Sequence, residues 1–236
     1  MALDVILNKL HVDGRLKREG TIESFDMLPL AGYESFGSDT SNVGDEKERF
    51  LVQPVEVYSC DENFVFIQVR SSCVRGRLQN FCEEFIELLS SESISRLVIL
   101  TGAQPNDLFE AAIKANGLFN IGENSPTIIS TSQEITTEFA QKISGMPLAR
   151  CIYDFSRKEE NRSKFGAILV GKFSAEGDNT SDGISLAAAV SVGTGLINAA
   201  YFSDHYKKIF RPQSWNALAG AHLRIEQQRM GAAIYY

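Results

Sequence analysis

The chain has 236 residues, 44% hydrophobic and 22% charged, with a formal net charge of −7. Such values fit one domain with a substantial core. They argue against a general nucleic-acid partner, which would ask for a basic face. No apolar run reaches the ~18–20 residues that a bilayer span needs. Cys60, Cys73, Cys82 and Cys151 are scattered without a C-x-x-C pair, so neither a disulfide framework nor a zinc site is indicated. Reduced thiols in the core account for them.

Leu3, Ile6, Leu7 and Leu10 recur at helical spacing, which predicts an amphipathic helix at the start of the chain. No Ser, Thr, Asp or Asn precedes it as a cap, and no basic segment with a cleavage site marks a signal peptide. Residues 32–49, "GYESFGSDTSNVGDEKER", read as a long exposed loop. "LVQPVEVYS" and "FVFIQVRS" read as two strands joined tightly through "CDEN". "RGRLQNFCEEFIELLSSES" places Leu78, Phe81, Cys82, Phe85, Leu88 and Leu89 on one helical face.

"SRLVILTG" is a short continuous apolar run, the pattern of a strand covered on both sides. "NDLFEAAIKAN" predicts a helix capped by Asn106. In the stretch 123–163, "PTIIST" reads as a strand, "SQEITTEFAQKIS" as a helix and "SRKEENRSK" as an exposed loop. "FGAILVGKF" is a further core strand, and "ISLAAAVSVGTGLINAAY" a small-residue helix packed close to the sheet. The alternation predicts a single-domain, three-layer α/β/α fold with a mostly parallel sheet over residues 1–220, followed by a flexible C-terminal tail over 221–236.

Motifs with chemistry are few. "DNTSDG", Asp178 to Gly183, opens like a calcium loop, but Thr180 stands at the third position and Ala189 where a bidentate Glu belongs. A cap on the following helix is the simpler reading. "GTGLIN" lacks the closing glycine and the preceding strand of a dinucleotide fingerprint. There is no P-loop and no G-x-S-x-G elbow, and His11, His205 and His222 form no local triad pattern. Glu83 and Glu84 point about 100° apart on a helix, as a solvated face does. Glu176 and Asp178, beside a strand end, are the best catalytic candidates that remain. No cofactor or metal is implied.

Three stretches carry a family resemblance: Glu56 to Gly102, "FGAILVGKFSAEGDNTSDG" and "IFRPQSWNALAG". "SAEGDNTSD" and "PQSWNALAG" are their most specific parts, and together the three resemble the eukaryotic proteasome assembly chaperone 2 family. The resemblance implies a fold related to nucleoside phosphorylases and hydrolases without enzyme activity. It implies a cytoplasmic and nuclear protein that pairs with proteasome assembly chaperone 1. The pair binds the proteasome α-ring, promotes its assembly and blocks off-pathway ring dimerisation. The closing residues Ile234, Tyr235 and Tyr236 match the family's hydrophobic-tyrosine-any tripeptide. That match implies docking in a pocket between α subunits, with a lysine facing the terminal carboxylate. Family members begin with an apolar strand and a glycine turn ahead of the helix that "ALDVILNKL" resembles, so the sequence reads as shortened at its start. A phosphorylase- or hydrolase-like enzyme and a generic α/β adaptor are the rival readings.

Overall fold

The computed structural model describes residues 1–30, 33–34, 50–104, 117–122, 133–136, 143–162, 164–174 and 179–204. Helix α1 (Ala2–Val12) buries Val5, Ile6, Leu7 and Leu10, the stripe that its sequence spacing requires. An unforeseen strand β1 (Leu16–Thr21) follows. It reads as mostly polar because its side chains are largely exposed. The short strands β2 (Tyr33–Glu34) and β3 (Phe50–Leu51) pair with each other. Strands β4 (Val55–Cys60) and β5 (Phe64–Val69) form the expected hairpin, turning at Asp61 with φ +53°. β4 also pairs with β1, with a bulge between Arg18 and Gly20.

Helix α2 (Leu78–Ser91) buries Phe81, Cys82, Phe85, Ile86 and Leu89. The predicted face is rotated by one position, so that Leu88 is exposed. Strand β6 (Arg96–Ala103) follows. Then come β7 (Leu118–Ile121), β8 (Gln133–Glu134), α3 (Pro147–Ser156), α4 (Glu159–Arg162), β9 (Gly166–Phe173), α5 (Thr180–Gly193) and α6 (Ala199–Asp204).

Several expectations change. The sheet is not one mostly parallel array: β1-β4-β5 is antiparallel, and a four-stranded sheet runs β6-β9-β7-β8. In that sheet β6·β9 and β7·β8 are parallel, whereas β7·β9 is antiparallel. Among the described residues β6 stands at the sheet's edge and is only partly covered, although its apolar run resembles that of a central strand. "SQEITTEFAQKIS" contains β8 rather than a helix at its described start, where β8 adds to β7. "SRKEENRSK" contains one helical turn, α4, which buries Asn161. Helix α3 went unforeseen, although Pro147 stands in its first turn, where proline suits a helix start.

The predicted long helix over 184–201 is cut in two. α5 ends at Gly193; Gly195 takes φ +70°, and the Leu196 amide reaches back to the Ser191 carbonyl at 2.9 Å. That left-handed glycine closes the helix by satisfying carbonyls that would otherwise be bare. The predicted strand at "PTIIST" and helix at "NDLFEAAIKAN" lie outside the described residues, as does the tail 221–236.

Two core clusters sandwich the strands. One gathers Phe81, Phe85, Phe119, Ile152, Tyr153 and Leu169 beneath α2 and α3. The other gathers Val5, Ile6, Leu10, Ile168, Ala187 and Val190 beneath α1 and α5. Helices thus cover both faces of the strands, as three layers require.

Candidate interaction surface

Ile234, Tyr235 and Tyr236 lie outside the described residues, as do Glu176, Asp178, His205, His222 and Trp215. His11 sits in the last turn of α1. Glu83 and Glu84 are exposed on α2, as a solvated face requires.

The one buried charged cluster among the described residues is built by the antiparallel hairpin. Glu56 on β4 is fully buried and accepts from Arg70 Nε at 2.6 Å and Arg18 Nη2 at 3.0 Å. Arg70 Nη1 lies 3.4 Å from Asp4 Oδ1 on α1, and Gln68 Nε2 donates to the same oxygen. Register explains the assembly: Glu56 faces Gln68 across the β4·β5 ladder, and Arg70 follows one step past its end. Burial pushes the neighbouring Tyr58 hydroxyl up to about 12, with the Glu56 carboxylate adding to the rise. Each carboxylate is thus held by a cation or amide. That geometry ties α1, β1, β4 and β5 together. Sequence reading passed over this cluster, because Asp4, Arg18, Glu56 and Arg70 are far apart along the chain.

Cysteines behave as core groups. Burial pushes the Cys73 and Cys82 thiols up, so both stay protonated and unreactive near neutrality. All four cysteines are free. Among the described residues no group of three or more His, Cys, Asp or Glu could hold a metal ion.

Two open depressions mark the surface. One of about 490 Å³ is lined by Ile143 to Pro147 with Arg150 and Asp154, whose side chains pair at 2.9 Å. The other, of about 390 Å³, lies between Lys9, Asp13, Arg15 and the α5–α6 connection. Exposed apolar side chains are scattered, and one short segment carries three of them: Phe25, which is fully exposed, Leu28 and Leu30. The segment is pinned rather than loose. Val74 donates to the Asp26 carbonyl at 2.7 Å, Leu28 to the Ser72 carbonyl at 2.9 Å, and Met27 bridges to Cys73. Pinned apolar side chains suit contact with another protein better than catalysis.

The fold has counterparts among solved structures. The chain superposes on PbaA of Pyrococcus furiosus, an archaeal homolog of proteasome-assembly chaperone, with a TM-score of 0.59 at 12% identity, over the whole chain and 88% of PbaA. A protein of unknown function from Thermoplasma acidophilum matches with a TM-score of 0.58 at 15% identity, over 97% of this chain and 83% of that one. No family model matches the sequence.

Sequence similarity adds curated relatives. The chain is 23% identical to proteasome assembly chaperone 2 of Mus musculus over 248 residues, 94% of this chain and 87% of the mouse protein. The human protein of the same name matches at 23% over 245 residues, with the same shares covered. The resemblance carried by three stretches thus extends along nearly the whole chain, and its relatives are proteasome assembly chaperones.

Proposed function

We propose that this chain is a proteasome assembly chaperone that works as a heterodimer with a chaperone 1 partner. In this reading the pair binds the α-ring, promotes its assembly and prevents off-pathway ring dimerisation, in the cytoplasm and nucleus. The observation that carries it is the similarity to proteasome assembly chaperone 2 over 94% of the chain. Carboxylates held in ion pairs and thiols kept protonated by burial agree with a binding role.

Ile234, Tyr235 and Tyr236 are the proposed ring anchor. The Tyr236 carboxylate pairs with a lysine, the Tyr235 ring enters the pocket with its hydroxyl bonded, and Ile234 covers the mouth. A charge-assisted hydrogen bond nets ~1.5–3 kcal/mol, and burying an aromatic ring and an isoleucine ~4–5 kcal/mol. Ordering the segment costs ~1–2 kcal/mol per residue. The balance of a few kcal/mol is near the ~4 kcal/mol of millimolar binding. Most affinity therefore comes from a broader surface and from avidity with the partner's contacts.

Native-gel binding to purified α-ring assemblies tests this, using the chain co-expressed with its chaperone 1 partner. Tyr235→Ala, deletion of Ile234 to Tyr236, or one residue added after Tyr236 is expected to weaken ring binding while the heterodimer stays intact. Equal binding by all forms overturns the anchor and moves the contact to the folded surface. No ring binding by the unaltered heterodimer overturns the chaperone reading itself.

A further inference from the structure

Three of the four cysteines, far apart in sequence, meet in one place. Cys82 on α2 is fully buried in the aromatic core, and the half-buried Cys73 and Cys151 pack against the same cluster. Cys60 lies in the other cluster, beneath α1 and α5.

α2 and α3 pack directly on each other, and each brings a cysteine to the seam between them. Cys151 Sγ on α3 lies 4.0 Å from the Leu78 carbonyl oxygen of α2. Leu78 stands one turn before Cys82, so the two share a stripe of α2. The Cys151 sulfur therefore meets α2 beside Cys82. The two thiols also act on each other: burial pushes Cys82 up, and contact with the Cys151 thiol adds to the rise. Packed helix axes lie ~8–10 Å apart with Cα atoms ~2.3 Å off each axis. Facing positions thus come within the ~4.4–6.8 Å that a disulfide spans.

The members of the pair differ in access. Cys82 has no contact with solvent, whereas part of Cys151 is open. Cys73 is engaged elsewhere, with its Sγ 3.5 Å from Met27 Sδ. A small oxidant therefore meets Cys151 before Cys82. A sulfenic acid formed there has a thiol held beside it, and condensation with a neighbouring thiol is its ordinary fate. Fixed proximity offsets the low reactivity of a protonated Cys82.

We propose that Cys82 and Cys151 are an oxidation-responsive pair, in which a hydroperoxide oxidises Cys151 and a disulfide then joins α2 to α3. In the first step the Cys151 sulfur attacks the peroxide; the O–O bond breaks, giving Cys151 sulfenic acid and, from hydrogen peroxide, water. In the second the Cys82 sulfur displaces hydroxide from the Cys151 sulfur. An S–S bond forms, the S–O bond breaks, and the Cys82 proton leaves with the hydroxide as water. The two sulfurs lose two electrons in all, and the peroxide gains them. Two equivalents of a small thiol reverse the change and leave as their own disulfide. The pair stands apart from the ring-anchor reading, because neither cysteine belongs to the tail.

The test treats the full chain with hydrogen peroxide, caps free thiols with N-ethylmaleimide and maps the unreduced digest by mass spectrometry. A bridge between Cys82 and Cys151 is expected, with Cys60 capped, and reduced glutathione is expected to restore both thiols. Cys82→Ala removes the resolving thiol, so dimedone labelling of Cys151 is expected to rise at least about tenfold over the unaltered chain. Mapping of the unaltered chain decides the matter even where the variant fails to fold. Four capped thiols after a peroxide dose that fully oxidises glutathione overturn the proposal. So does a bridge through Cys60 or Cys73, a bridge between two chains, or Cys151 carried to the sulfinic acid while Cys82 stays free.

Discussion

The two faces of the strand layer are packed by different means. Beneath α2 and α3 the core is aromatic: Phe81 and Phe85 stack at 5.6 Å between ring centroids, and Phe119 meets Phe173 at 4.7 Å. Beneath α1 and α5 small and aliphatic side chains, Ala2, Ala187, Ile184 and Val190, pack with the rings of Phe64, Phe66, Tyr201 and Phe202 in the same cluster. Large rings fix position through shape, whereas small side chains let helix axes approach closely. The difference teaches that one face sets its fully buried ring, Phe119, against the backbone of Gly171, while the other lets two helices meet through small side chains. A charged cluster reinforces the side beneath α1 and α5, where Asp4 of α1 reaches Arg70 and Gln68.

The comparison breaks most easily at Phe119. Its side chain is fully buried, and its ring occupies the space that a side chain at Gly171 would need. Phe119→Ala is expected to cost about 3–5 kcal/mol in urea unfolding, whereas Val190→Ala on the other face costs less. Equal losses at the two sites would erase the contrast.

Next is the buried ion cluster. Glu56→Gln leaves Arg70 and Arg18 without their carboxylate and is expected to cost about 3 kcal/mol. Adding Arg70→Met should recover part of that loss, because the uncompensated charge goes with it. A double variant that is additively worse would show that Glu56 acts by shape alone.

A smaller effect sharpens the same region. Tyr58 stays neutral up to about 12 in the folded chain, while an exposed tyrosine ionises near 10. A raised folded value means stability that is present below about 10 and lost as pH climbs towards 12. Denaturant midpoints across that window should fall, and Tyr58→Phe should flatten the fall.

The sequence by itself determined α1, α2, the β4–β5 hairpin and β9, because each carries a complete period of apolar residues within its own span. It also supplied the family resemblance, which rests on short stretches whose identity does not depend on neighbours. The hydrophobic stripe of α2 was legible to within one position, since Leu88 and Leu89 compete for the same turn. The proposed ring anchor at Ile234 to Tyr236 is legible only as a match of three residues. Only the tertiary structure decided the rest. β1 forms because β4 offers it an edge, although its own residues are polar, and "SRLVILTG" pairs with β9 alone among the described strands despite its central pattern. Glu56, Arg70, Arg18 and Asp4 meet only when α1 closes over the hairpin. Those outcomes depend on pairing and distance between segments far apart in the chain, and local periodicity carries no record of either.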